Sequence, residues 1–208
     1  MGKDYSSVDN AFGFKPYGNV LRTNLYAVQT APGISIAHYD IVKHGGAGVS
    51  TPHCGTRAVL DDADVLDGSD ANFLGSVLAV YDHNMDPPPY IAKSAAGNST
   101  IAGYVLVADH PDQLFIAQED GGGNAIDTSE IGLNADLLCA SSNACSTTTG
   151  ISTQEIDSSS ADSDTSGNVH LKLIAPHEDD TVGNDSSANA RWIVQINTHF
   201  YGTNKAGA

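Results

Sequence analysis

A two-residue alternation of side chains near the C-terminus is the feature that most constrains the fold of this chain. Along an extended backbone from Ala190 to Tyr201, one side would carry Trp192, Val194, Ile196, Thr198 and Phe200. The other side would carry Ile193, Gln195, Asn197 and His199. This period is typical of a β-strand with one face in a core and the other face wet or at an interface. We therefore predict a strand over 190–201 whose core residues are Trp192, Val194, Ile196 and Phe200.

Similar segments recur between turns rich in Gly, Asn, Asp and Ser, and they predict further strands near 20–30, 34–43, 57–60, 73–82, 101–109, 113–119 and 169–175. The segments 101–109 and 113–119 should form a hairpin across His110-Pro111-Asp112. A modest helical pattern is present at 129–138, behind a Ser/Thr cap, and the glycine-rich segment 44–55 is expected to be a loop. Because strand follows strand, the predicted fold class is mainly β: an antiparallel β-sandwich or barrel with little helix.

The domain organisation follows from the same pattern. Residues 1–19 lack a regular period and are expected to form an extended N-terminal arm. Residues 20–208 are expected to form a single β-rich domain, since the chain of 208 residues is long enough to bury a sizeable core. If the domain is subdivided, the break should fall near 85–100, beside the run Pro87–Pro89.

Charge restricts the classes of partner. The formal net charge is −16, and it is uneven: residues 1–57 hold five basic and three acidic residues, whereas 58–208 hold four basic and 22 acidic residues. A field of that sign repels phosphate backbones, so we expect no nucleic-acid partner. No apolar stretch approaches membrane-spanning length and the N-terminus lacks an apolar signal region, so no membrane partner is expected.

No pattern for catalysis or for a cofactor is present. None of the eight histidines falls in a His-x-His pair or in His-Glu-x-x-His spacing. The acidic turn Asp162–Gly167 resembles half of a calcium loop, but Leu173 stands where the bidentate Glu is needed. Cys139 and Cys145 could bridge a local loop or remain free thiols. The sequence therefore predicts a binding or structural protein without catalytic residues, cofactor or metal, rather than an enzyme.

The arm carries the candidate interface residues. They are aromatic, basic or proline side chains close together in sequence: Phe12, Phe14, Lys15, Pro16, Tyr17 and Arg22. Aromatic and Arg side chains dominate the energetics of protein interfaces, whereas acidic side chains are depleted from interface cores. We expect this arm to lie on a partner or on a neighbouring copy, with the acidic remainder facing outward. The alternative is that the arm folds back on its own sheet.

Several segments together resemble a known family. They are Phe12–Pro16, Gly75–Tyr81, Ala108–Gln118, Gly132–Leu137, Thr149–Ser152, Ile156-Asp157 and Val194–His199. In order and spacing, over roughly residues 10–200, they are similar to small virion structural proteins of tailed bacteriophages, particularly marine podoviruses, that coat the capsid. The chain departs from that pattern in its three cysteines and in Pro87–Pro89.

The resemblance implies a capsid decoration, or cement, protein. Such a protein would bind the major capsid protein on the outside of an icosahedral shell and stabilise it; it would be made in the host cytoplasm. Because linked copies bind with avidity, we expect a homo-oligomer, with a trimer preferred over a dimer. The alternative function is a virion-surface carbohydrate-binding module, in which Tyr81, Tyr90 and Tyr104 would be exposed beside acidic loops.

Overall fold

β-Strands make up nearly all regular structure in the part of the chain that the computed structural model describes. That part comprises residues 9–29, 32, 35–51, 55–61, 73–92, 95, 97, 101–122, 125–139, 145–162, 170–177 and 188–202, with the backbone alone at 45–51, 55–61 and 162. The strands are β1 Lys15–Tyr17, β2 Thr23–Gln29, β3 Ile36–Ala37, β4 Ile41–Thr51, β5 Gly55–Asp61, β6 Phe73–Asp82, β7 Tyr90–Ile91, β8 Ile101–Ala108, β9 Leu114–Gln118, β10 Asn134–Leu138, β11 Glu155–Asp162, β12 Leu171–Pro176 and β13 Arg191–Ile196. Within those ranges, helical structure is limited to one 3₁₀ turn, Thr128–Glu130.

Two sheets carry the architecture. Six strands form an open sheet in the order β1-β9-β13-β12-β10-β11, with every neighbouring pair antiparallel. Five strands, β2-β5-β4-β6-β8, close into a small barrel in which only β2 and β5 are parallel. The short strands β3 and β7 pair separately. The predicted fold class, a mainly β protein built on antiparallel strands, is confirmed.

The sheet and the barrel share a hydrophobic core. Barrel residues Ile41, Phe73 and Ala108 belong to the same buried cluster as Phe115, Trp192 and Val194 of the open sheet. A second cluster fills the barrel, and its largest members include Tyr26 and Leu74. Burial of this much apolar surface is the main favourable term in folding. No helix among the described residues is both long enough and apolar enough to cross a membrane.

The predicted C-terminal strand is confirmed for its central residues and wrong at its end. Trp192, Val194 and Ile196 are core residues. Phe200 is 38% exposed, because regular pairing ends at Ile196 and the chain bends at 197–198. The opposite face is not wet either, since its residues Ile193, Gln195 and Asn197 are buried.

The helix predicted at 129–138 is wrong. A capping box closes the 3₁₀ turn: Asp127 Oδ1 accepts from the backbone N–H of Ser129, and Glu130 Oε2 accepts from that of Asp127. The turn cannot extend into an α-helix, because Gly132 has φ +88°, in the left-handed region. The remainder, β10, instead pairs with β11 and β12.

The predicted hairpin at 101–119 is also wrong, although both strands exist. β8 lies between β2 and β6 in the barrel, whereas β9 lies between β1 and β13 in the open sheet. The turn at His110–Gln113 therefore carries the chain from one sheet to the other. Elsewhere, the strand predicted at 34–43 is broken by a left-handed residue, Tyr39 at φ +69°, and the loop predicted at 44–55 is mostly the continuation of β4.

Buried ionisable groups are the main electrostatic cost of this core. Burial raises the pKa of Asp40 to about 8, although its Oδ2 accepts from the backbone N–H of Ala37 at 2.7 Å. Burial raises the pKa of Glu119 to about 7, and burial followed by the carboxylates of Asp9 and Asp120 does the same for Glu155. Burial lowers the pKa of His199 to about 4. A charge removed from water favours the neutral form of each group.

We predict that truncating Trp192 to Ala lowers the free energy of unfolding by about 3–5 kcal/mol, because the side chain is fully buried and leaves a cavity. Urea denaturation followed by circular dichroism measures the loss. Phe200→Ala is the matched aromatic control at a 38% exposed position and should cost far less. Equal losses for the two variants would contradict the assignment of the core.

We also predict that stability falls as pH rises from about 6 to about 8.5. The folded-state pKa values of Asp40, Glu119 and Glu155 lie above the unfolded values, so the folded protein binds more protons in this window. The contribution of these three carboxyl groups to stability is complete below their unfolded-state pKa values and is lost as pH rises through their folded-state pKa values. His199 acts oppositely but below pH about 6.5, where the unfolded protein gains its proton.

Urea midpoints measured across that range provide the test. Asp40→Asn should flatten the dependence, because it removes the carboxyl with the highest of these raised pKa values. Asp86→Asn removes an exposed carboxyl and should leave the slope unchanged. A midpoint that increases from pH 6 to pH 8.5 would contradict the prediction.

Candidate binding surface

The described part of the predicted arm, residues 9–19, folds back on its own sheet, and residues 1–8 lie outside the described residues. Its residues 15–17 form β1, which pairs with β9 in the register Lys15↔Ile116 and Tyr17↔Leu114. The backbone N–H of Phe14 donates to the Tyr39 carbonyl at 2.8 Å. For these residues the alternative considered for the arm is the one observed, and the prediction that the arm cannot bury its rings within its own chain is wrong for Phe14.

Strand alternation divides the six predicted interface residues. Phe14 is fully buried in the shared core, so its assignment to an interface is wrong. Pro16 points the same way and is half-buried, whereas Lys15 and Tyr17 alternate to the outer face of the sheet. Phe12 and Tyr17 are half-buried, and Lys15 and Arg22 are exposed; whether these four and Pro16 contact a partner stays a prediction.

Gly13 makes this arrangement sterically accessible. Its φ is +72°, and a Cβ at this position would lie 2.3 Å from Ser152 Cβ and 2.5 Å from the Tyr39 carbonyl oxygen. Only glycine combines a left-handed backbone with so close an approach. The turn at Gly13 lets Phe14 enter the core while Phe12 stays outside it.

A groove lies on the outer face of the open sheet, beside the arm. It encloses about 440 Å³ and is lined by Phe12, Lys15, Tyr39, Ile116, Ile151, His177 and Arg191. We call it the arm groove. Strand register explains part of this set: Ile116 lies opposite both Lys15 and Ile193, and Arg191 is two residues from Ile193 on the same face. Burial of Trp192 in the core therefore directs its neighbour Arg191 outward.

The chemistry of the arm groove differs from that of the rest of the chain. Lys15, Arg191 and His177 supply nitrogen donors, while Phe12, Ile116 and Ile151 supply apolar surface. The Tyr17 ring lies edge-on to the ring of His177, with centroids 6.1 Å apart. No carboxylate or amide side chain lines the groove within the described residues. The arrangement can hold an anionic group attached to an apolar body.

A second surface surrounds Arg22 at the start of β2. The buried carboxylate of Asp109 accepts three hydrogen bonds: from Arg22 Nε at 2.8 Å, Asn24 Nδ2 at 2.7 Å and the Tyr26 hydroxyl at 2.5 Å. Burial, and then the hydrogen bond to Asp109, raise the pKa of the Tyr26 hydroxyl. These bonds hold the guanidinium over the ring of Tyr201, 4.9 Å from its centroid. Arg22 is therefore both exposed and restrained.

Exposed apolar side chains flank Arg22 in two ways: Val20 and Leu21 precede it in the chain, and Phe200 packs on the Tyr201 ring that lies under it. We define the Arg22 patch as Val20, Leu21, Arg22, Phe200 and Tyr201; its four apolar members are 43%, 54%, 38% and 49% exposed, respectively. Phe200 packs edge-on against Tyr201 and stacks on His44, with centroids 4.9 and 4.1 Å apart. Adjacent exposed apolar residues mark interaction sites more often than scattered ones do.

The tyrosines proposed for carbohydrate binding do not form a platform. Tyr104 is buried in the barrel wall, with Tyr81 packed against its cluster, so the expectation of an exposed Tyr104 is wrong. Tyr90 is half-buried in β7.

Cys139 and Cys145 are buried and not joined, and burial raises the pKa of the Cys145 thiol to about 12. The described residues contain no group of three or more His, Cys, Asp or Glu placed to hold a metal ion.

Comparison of the chain with protein-family models, with curated proteins and with solved structures finds no match in any of the three. The surfaces must therefore be interpreted from their own chemistry.

Several residues of these surfaces were missed in the sequence. Arg191 could have been found, because it precedes the core residue Trp192 and must face the other way. The sequence places Asp109 and Phe200 in predicted strands and gives neither residue a role at a surface. His177 and Tyr201 carry no local signal, because their partners Tyr17 and Arg22 are more than 150 residues away in the chain.

We predict that Asp109→Ala destabilises the protein more than Arg22→Ala. Removing the buried acceptor leaves the Tyr26 hydroxyl without it, at a cost of about 1–3 kcal/mol for such a donor. Removing Arg22 should cost less, because the buried carboxylate keeps the hydrogen bonds from Asn24 Nδ2 and the Tyr26 hydroxyl. Urea denaturation of both variants makes the comparison. A larger loss for Arg22→Ala would contradict the proposed role of Asp109.

Proposed function

We propose that this protein decorates the outside of a tailed-phage capsid and binds the major capsid protein through the Arg22 patch. The sequence resemblance suggests the partner. The observation that carries the proposal is an arginine held by a buried carboxylate over the exposed ring of Tyr201, with exposed Phe200 packed on that ring and exposed Val20 and Leu21 preceding the arginine in the chain.

The composition of the Arg22 patch suits a protein interface. Tyr and Arg are the residue types most enriched among residues that dominate binding energy, and Leu21 and Phe200 add apolar surface. Arg22 is already restrained by Asp109 and by the ring of Tyr201. Restraint before binding reduces the ordering entropy that association costs. A shell protein could therefore bind this patch without first ordering it.

The distribution of charge is consistent with an outward-facing remainder. Arg22 belongs to the segment 1–57, in which basic residues exceed acidic ones, whereas 58–208 is strongly acidic. An acidic outer surface keeps particles soluble and apart from one another. On the shell we expect a homo-oligomer, with a trimer preferred over a dimer, because linked copies would bind the shell with avidity.

Deletion of the arm cannot test this proposal, because Phe14 belongs to the shared core. Point substitutions at exposed positions are suitable instead. We predict that Leu21→Asp and Tyr201→Ala each weaken co-sedimentation with shells of the phage that encodes the chain by about tenfold or more, as expected for central interface residues. Binding isotherms at increasing protein concentration give the change in affinity.

Ile131→Asp is the matched control, because Ile131 is 45% exposed on a different part of the surface. This variant should sediment with shells as the unaltered protein does, and thermal melting should show that all variants are folded. Unaltered protein that stays in the supernatant would refute the capsid role. Full binding by Leu21→Asp and Tyr201→Ala would leave the capsid role but refute the Arg22 patch as the contact.

A further inference from the structure

We propose that the arm groove is a second binding site and that it takes an acidic, extended segment of another protein. The inference is independent of the capsid role, since it concerns a different set of residues. It stands on the geometry of the groove and on the contrast in charge between the groove and its chain.

The charge contrast is the first argument. The whole chain holds nine Lys and Arg residues, and two of them, Lys15 and Arg191, line the groove together with His177. They reach it from parts of the sequence more than 150 residues apart, brought together by the pairing of β1, β9 and β13. The exposed Lys15 is the cation that directs association toward carboxylate-bearing ligands; Arg191 and His177 already have interaction partners in the protein and add N–H donors beside it.

The apolar lining favours a polypeptide over a saccharide. Phe12, Ile116 and Ile151 offer surface for aliphatic or aromatic side chains between carboxylates. Ile151 is itself 37% exposed at the groove. Sugar hydroxyls need acceptors as well as donors, and among the described lining side chains the acceptors are limited to the Tyr39 hydroxyl and the neutral His177 ring, with no carboxylate or amide. A peptide that alternates Glu with apolar residues matches both kinds of lining.

The ligand should bind across the sheet face rather than extend the sheet. β1 is an edge strand, but its middle residue is Pro16, which has no backbone N–H to donate. Added strands gain most of their affinity from such backbone bonds. Recognition therefore rests on the side chains of Lys15, Arg191 and His177 and on the apolar floor at Ile116.

The probe is a fluorescein-labelled peptide, Glu-Leu-Glu-Phe-Glu-Leu-Glu, titrated with the full chain and followed by fluorescence anisotropy. We expect saturable binding that weakens about tenfold for Lys15→Glu and for Arg191→Glu, because each reverses a charge at the site. Lys15 is exposed, so Lys15→Glu should fold even if the half-buried Arg191 position tolerates Glu poorly.

Lys172→Glu is the matched control. This substitution makes the same change in net charge as Lys15→Glu. Lys172 lies opposite Gln195 in the sheet, and Gln195 is four residues along β13 from Arg191. It should weaken binding by less than about twofold, since separated surface charges are screened by salt. Thermal melting confirms folding of each variant.

Three outcomes would overturn the proposal. They are no binding of the peptide to the unaltered chain, equal binding of a peptide with Gln in place of each Glu, and equal loss of binding for Lys15→Glu and Lys172→Glu. Polygalacturonate is the competing ligand. We do not expect a non-acidic sugar polymer to displace the peptide. If polygalacturonate binds to the unaltered chain and the peptide does not, the groove is assigned to acidic saccharides instead.

Discussion

Burial of β13 on both of its faces is the constraint on which the rest of the structure depends. Trp192 and Val194 lie in the core shared with the barrel, and Ile193 is buried on the opposite face. Polar side chains on such a strand need bonded partners, and Gln195 Nε2 donates to the Pro111 carbonyl at 2.9 Å. A one-residue slip would exchange the two faces, so β9 and β12 are held in one register.

Both candidate surfaces follow from that register and from the path of the chain beside it. Because β1 pairs with β9 and β9 with β13, Lys15 lies on the same outer face as Arg191. A few residues later the chain reaches Arg22, where the buried Asp109 joins β2 to the crossing from barrel to sheet. One segment thus contributes to the arm groove and to the Arg22 patch.

The sequence predicts individual strands better than it predicts their partners. The alternation around Trp192 locates a buried strand, since every second side chain must point the same way. The turn residues His110-Pro111-Asp112 predict a reversal, but nothing local shows that β8 and β9 leave that turn for different sheets. The helical pattern at 129–138 fails for a similar reason: its cap is real, yet Gly132 and the pairing of β10 end it after one turn.

By itself, the sequence determined that this protein is mainly β, that Trp192, Val194 and Ile196 share one buried strand face, and that Lys15 and Arg22 are basic residues in a strongly acidic chain. These properties depend on composition and on the order of neighbouring residues, and a two-residue period is a local signal of a strand. Only the tertiary structure decided that Phe14 enters the core and that Arg191 and His177 meet Lys15. Those contacts join residues far apart in the chain, and they depend on which strands pair, a choice set by the packing of the whole core.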